Sequence, residues 1–319
     1  MMSRATKIDQ LAGVAGRRDL DSDPDRAEDA GVSLAASAWR RLRRSPTFWV
    51  GAIVIGLFVL LAVIAPFIAP HDPALRMLES QVSRASNQLP PPQEGHPLGG
   101  DQYGRDLFSR VLLGSQQTLL VALLATVIGL GGGLVLGTLA GAFGGWVDSV
   151  VMRAVDVLLS IPSLLLAVSI GALFAQQTQF SVILAVAIVQ IPIFARLLRG
   201  TMLSVRESDH VLAARALGVK RREIVFRHIL PNSLGPVIVQ STLVLAMAIL
   251  DAAALSFLGL GAADDSTPEW GQMLGNAQEF FDSQPHLAFW PAGCIVAVAL
   301  GFTLVGESMR EALDPRQRR

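Results

Sequence analysis

Residues 208–231, SDHVLAARALGVKRREIVFRHILP, form a basic, polar block between two apolar stretches, each long enough to enter a bilayer. Ser208 or Asp209 offers an N-cap oxygen, and Gly218 stands where a helix needs a left-handed terminating residue. One short helix is predicted between them, with Ala213, Ala214 and Leu217 sharing a face by i, i+3 and i+4 spacing. A helix of about ten residues is shorter than the ~12–15 that hold alone in water, so it needs a surface to pack against. Alanines on the packing face permit close approach, as in docking into a groove. Lys220, Arg221 and Arg222 mark the cytoplasmic side, where basic residues are retained.

The whole chain points to a bilayer. Its 319 residues are 51% hydrophobic and only 16% charged, against roughly 25% charged in soluble domains. Mean hydropathy is +0.48. The single cysteine, Cys294, lies in an apolar run and rules out a disulfide framework or a cysteine metal cluster. Lys7 and Lys220 are the only lysines, and neither closes a GxxxxGK phosphate loop, so no nucleotide site is predicted. HExxH and GxSxG are absent, and His71, His96, His210, His228 and His286 all fall in predicted loops. No catalytic centre, cofactor, metal site or proton relay is expected. The basic residues lack the aromatic interleaving that binds nucleic acid.

Apolar runs at about 47–69, 118–142, 151–174, 180–198, 234–260 and 288–307 predict six membrane spans. Gln190 and Pro192 interrupt the fourth, and Arg196 closes it. Nine Arg and Lys precede residue 48, eight lie in 196–231 and four follow residue 308, with Arg153 at the inner start of the third span. The outer loops hold only Arg76, Arg84, Arg105 and Arg110. This bias predicts both termini in the cytoplasm. The expected organisation is a partly disordered cytoplasmic extension over 1–46, a transmembrane domain over 47–308 and a cytoplasmic tail over 309–319. Within the domain lie an external loop at 71–117 and a cytoplasmic loop at 199–233.

Gly129, Gly131, Gly132, Gly133, Gly137 and Gly141 line the second span and predict close helix packing rather than a phosphate cradle. Asp148 and Asp156 flank Arg153, which can pair with one of them. Asp251, the carboxylate well inside the fifth span, either bonds a neighbouring helix or partner subunit, or lines a passage and meets a polar or cationic substrate. Trp270 suits an interfacial anchor. HPLGGDQYGRDLFSR, residues 96–110, reads as a tight turn in which Asp101, Arg105 and Asp106 can close a polar network; ligand contact is the other reading.

The block at 208–231 resembles the "EAA" coupling loop of ABC-importer permeases, with Ala213, Ala214, Gly218, Leu230 and Pro231 matching and Leu212 in place of the usual Glu. His96, Gly99, Asp101, Gly104, Arg105 and Asp106 match the HPLGTDxxGRD signature of the C-type subunits of dipeptide, oligopeptide and nickel importers. LSFLGLG at 255–261, TPEWGQML at 267–274 and the tail GESMREALDPRQRR agree with that subgroup, so the resemblance runs from about residue 40 to the end. It implies an all-α polytopic inner-membrane protein of the type I ABC importer permease fold, a transport subunit rather than an enzyme. It also implies a second homologous permease, two cytoplasmic ATPases that use ATP and Mg, and an external substrate-binding protein. Leu212, Ala213, Ala214, Leu217, Gly218, Leu230 and Pro231 would then couple to an ATPase, and the cargo would be a di- or oligopeptide, with nickel or another small solute as the alternative. A stand-alone ion-driven carrier is the rival reading; it calls for inverted repeats and broken helices around an ion site, which are not evident.

Overall fold

The computed structural model describes residues 34–83, 88–262, 264 and 266–313. Arg84, most of the N-terminal extension and the end of the tail fall outside the described residues. Among the described residues all regular elements are helical.

Helix α1, Leu34–Arg44, ends in the basic cluster Arg41, Arg43 and Arg44. Ser45 then caps α2, Pro46–Ile68, by accepting from the Phe48 amide at 3.3 Å, and Pro46 occupies the first turn, where a missing N–H is harmless. Only Gly51, Ala62 and Ala65 of α2 are buried, leaving Ile53, Val63 and Phe67 for lipid or another subunit.

The centre of the fold is α3, Leu107–Phe143, against α6, Gln179–Arg206. Gly129, Gly133, Gly137 and Gly141 recur every four residues on the face of α3 that meets α6. A Cβ at Gly133 would stand 2.3 Å from Phe194 Cβ, so the two backbones approach only because the side chain is missing. Gly131 faces open space; the packing surface is one stripe of the glycine run, not the whole of it.

Three expected spans are corrected. Helix α3 begins at Leu107, inside the stretch read as loop to residue 117, because Asp106 caps it. The third span, expected over 151–174, is α4, Gly145–Leu159, and α5, Ser163–Gly171, bent by 94°. Pro162 causes the break: it has no N–H to donate and its ring pushes Ile161 away from helical geometry. The fourth span does not close at Arg196 but runs through Pro192 to Arg206. Dense packing holds it together, since Val186, Ala187, Phe194, Ala195 and Leu198 are all fully buried.

Beyond α6 come α7, Asp209–Ala216, a single turn at Arg221–Glu223 and a π-helical stretch at Ile224–Ile229. These lead into α8, Leu230–Leu255, which ends in a second π-helical stretch, Ser256–Leu260. Helix α9, Trp270–Ala277, is short, and α10, His286–Leu313, packs against α2 and α8. Five helical runs are long and apolar enough to cross a membrane, and the bent pair makes a sixth if it crosses as one span.

Candidate functional site

Helix α7 has the predicted boundaries. Ser208 is its N-cap by backbone geometry, although its hydroxyl donates back to the Val205 carbonyl at 2.5 Å instead of accepting from the helix. At the other end Gly218 has φ +77°, and the Val219 and Gly218 amides donate to the carbonyls of Ala214 and Arg215 at 3.1 and 2.9 Å. That pair of bonds is a Schellman termination, which needs a residue at ease with positive φ.

The expected common face does not hold. Val211 and Ala214 turn inward, 0% and 7% exposed, into an apolar cluster with Met202, Ile224 and Ile229. Leu212 and Ala213 point outward with Leu217, which is 84% exposed. Ala214 is thus corrected from a docking residue to an anchor: a short helix needs a partner surface, and its own chain supplies one. Leu230 packs against the same cluster, while Pro231 sits exposed in the first turn of α8.

One arginine ties this region to a span, and two more join α6 to α4. Arg221 donates through Nη2 to the carbonyls of Ala142 and Phe143 at the end of α3, at 2.6 and 3.0 Å. Arg199 grips Asp148 with two bonds, Nε to Oδ1 at 3.0 Å and Nη2 to Oδ2 at 2.6 Å, and Arg196 pairs with Asp156. Arg153, expected to serve one of those carboxylates, makes no ion pair among the described residues. It shares a helix with Asp148 and Asp156 but is exposed, and the arginines of α6 reach both acids first. Asp156 and Arg196 are 40 residues apart in sequence, and Asp148 and Arg199 are 51 apart, so no local pattern announced either pair.

The motif at 96–110 is a folded polar turn. Asp101 accepts from the Tyr103 and Arg105 amides at 2.9 and 3.0 Å and from Arg105 Nε at 2.7 Å. Arg110 Nε lies 3.5 Å from the same carboxylate while its Nη1 donates to the Pro73 carbonyl at 2.9 Å. Gly104 has φ +75°, and a Cβ there would fall 2.4 Å from the Glu79 amide nitrogen. The Gly99 carbonyl accepts from the Leu107 amide at 3.1 Å. Asp106 is fully buried; one of its oxygens takes His96 Nδ1 at 2.9 Å, the other the Ser109 amide and hydroxyl at 2.8 and 2.6 Å. His71, which the sequence places only in a loop, stacks on His96 with centroids 4.4 Å apart. His71, His96 and Asp106 are the group among the described residues whose donor atoms lie close enough together to hold a metal ion.

Trp270 is not an interfacial anchor. It is 1% exposed, slots against Gly114, meets Phe58 edge-on and donates from Nε1 to the Val111 carbonyl at 2.9 Å. Its neighbour Glu269 caps α9, accepting from the Gly271 and Gln272 amides at 2.9 and 3.0 Å. Burial raises the Glu269 carboxyl above its ordinary value of 4.5, partly offset by those amides, Ser256 and Thr118. Asp251 lies partly exposed on α8 beside the exposed Met247 and Leu250, and bonds to no other described residue.

Residues 133–319 match the family described as the binding-protein-dependent transport system inner membrane component, and residues 33–91 match the N-terminal TM domain of oligopeptide transport permease C. The chain belongs to the binding-protein-dependent permeases. It is 40% identical over 298 residues to the dipeptide transport system permease protein DppC of Alkalihalophilus pseudofirmus, covering 93% of this chain and 95% of that relative. It is 42% identical over 275 residues to the probable D,D-dipeptide permease DdpC of Escherichia coli K12, covering 86% and 89%. It is 38% identical over 282 residues to the glutathione permease GsiD of Pectobacterium atrosepticum, covering 87% and 90%. Its fold is similar to a chain of the MetNI methionine ABC transporter in an inward-facing conformation, with TM-score 0.52, 20% identity, and coverage of 64% of this chain and 96% of that one. The permease is therefore a multi-pass membrane subunit of an ABC importer, and ATP hydrolysis belongs to separate subunits of such transporters. Membership of this family sets the stand-alone carrier aside.

Proposed function

We propose that this permease forms half of the translocation path of an ATP-driven importer of di- or oligopeptides. A second homologous permease supplies the other half, two cytoplasmic ATPases bind ATP and Mg, and an external binding protein delivers the cargo. Both termini and α7 face the cytoplasm, in keeping with the basic residues that flank α7. The observation that carries this reading is the outward face of α7: Leu212, Ala213 and Leu217 stand exposed on a helix whose other face is locked into the membrane domain. An ATPase cleft that takes this face has a rigid handle on α6 and α8. The relatives named for dipeptides and glutathione support a peptide cargo.

Asp251 belongs to the path in this reading. A carboxylate in a span without a partner among the described residues is served by water or by a cation, and the ammonium group of a peptide meets that need. The test is uptake of labelled dipeptide by the complex reconstituted in vesicles with its binding protein. ATP-dependent accumulation that unlabelled peptides compete away is the expected result. ATP-driven uptake of nickel or another solute, with no peptide uptake, overturns the cargo. Asp251→Asn should raise the concentration needed for half-maximal peptide uptake while leaving assembly intact.

A further inference from the structure

His71 and His96 are 25 positions apart in sequence, yet their rings stack with centroids 4.4 Å apart at an interplanar angle of 27°. One donor atom from each histidine and one from Asp106 all lie within 4.8 Å of one another. The Asp106 carboxylate is fully buried, and its ion-pair partner is His96, through Nδ1 at 2.9 Å. In a tetrahedral site with bonds of about 2.0–2.1 Å, adjacent ligand atoms stand ~3.3 Å apart. A metal can therefore replace the proton between His96 and Asp106 if the two part by a few tenths of an ångström.

The supports around the three residues are those that metal ligands use. The second Asp106 oxygen is held by the Ser109 amide and hydroxyl, at 2.8 and 2.6 Å. His71 donates from Nε2 to the Gly95 carbonyl at 2.9 Å, and its own amide donates to Ser109 Oγ at 3.1 Å. Such outer contacts orient ligating side chains and raise their basicity. Turning the His71 ring out of the stack uses a broad, soft torsion.

We propose that His71, His96 and Asp106 form a binding site for a divalent transition metal, with zinc as the best match. Two imidazoles and a carboxylate suit zinc, nickel or copper, whereas magnesium and calcium call for more oxygen ligands. Water fills the fourth position. The bound ion joins the chain just past the end of α2 to the start of α3, closing the intervening loop into a stapled unit. The site is independent of the cargo assigned above.

The full-length permease, purified in detergent with an affinity tag free of histidine and stripped with chelator, is dialysed against micromolar Zn²⁺ and its metal counted by mass spectrometry. About one zinc per chain is expected, with Mg²⁺ not retained. His71→Ala, which leaves the Asp106 cap in place, should reduce retention to background. Ser109→Ala, which keeps the backbone amide, should weaken binding ~10–100-fold. No retention by folded wild-type protein overturns the site. Retention unchanged in His71→Ala overturns it as well, because the metal is then held elsewhere.

Discussion

Arg221, in the turn after α7, donates to the carbonyl of Ala142 at 2.6 Å, on the last turn of α3. The bond joins the turn after α7 to the helix that packs most extensively against α6. A cation at an exposed helix C-terminus contributes ~0.3–1 kcal/mol, so its removal barely changes folding. Arg221→Ala should therefore keep the thermal stability of the permease while lowering peptide uptake per ATP hydrolysed in the reconstituted complex. Equal uptake per ATP in wild type and variant would leave the bond without a part in coupling.

Ala213 and Ala214, neighbours in sequence, should respond differently to the same substitution. Ala213→Arg puts a long charged side chain on the exposed face. The folded permease survives, and docking weakens by the ~1–3 kcal/mol typical of overpacking, about 5- to 150-fold in affinity. Ala214→Arg forces a charge into the cluster with Val211, Met202 and Ile229, and a buried unpaired charge costs several kcal/mol. It should lower the unfolding temperature before any partner is added. Leu212→Glu, on the exposed face, should be milder than either. Thermal unfolding and pull-down with the ATPase subunits separate the two effects.

Glu269 makes stability depend on pH in a stated direction. Burial raises its carboxyl above the ordinary 4.5, so the folded state holds the proton over a range in which the unfolded chain has released it. Its contribution is fully present below the unfolded value and is lost as pH rises through the folded one. Relative to Glu269→Gln, wild-type permease should lose stability as pH rises from below 4.5 through the raised value of the folded state. Unfolding temperatures of both proteins across that range check the sign; a wild type that gains on the variant with rising pH would reverse it.

Orientation is open to direct labelling. In a Cys294→Ala background, cysteine at Ser283 should react with an impermeant thiol reagent on intact cells, and cysteine at Arg222 only after the membrane is opened. Both positions are exposed, so access depends on the side of the membrane. Labelling of Arg222→Cys from outside would overturn the cytoplasmic placement of α7.

The sequence by itself determined the class of protein, the approximate positions of the long apolar helices, the limits of α7 and the turn at 96–110. These depend on properties carried by consecutive residues: the length of an apolar run, an aspartate before a helix, a glycine where φ must be positive. Even there it misled at Pro162, where the length of the apolar run outweighed one residue that geometry does not forgive. Only the tertiary structure decided which face of α7 is spent on its own chain, that Arg196 and Arg199 claim the acids offered to Arg153, that Gly114 makes a slot for Trp270, and that His71 meets His96 and Asp106. Each of these is a contact between residues far apart in sequence. Helical periodicity shows which residues share a face, but the packing of the other helices settles which face is buried.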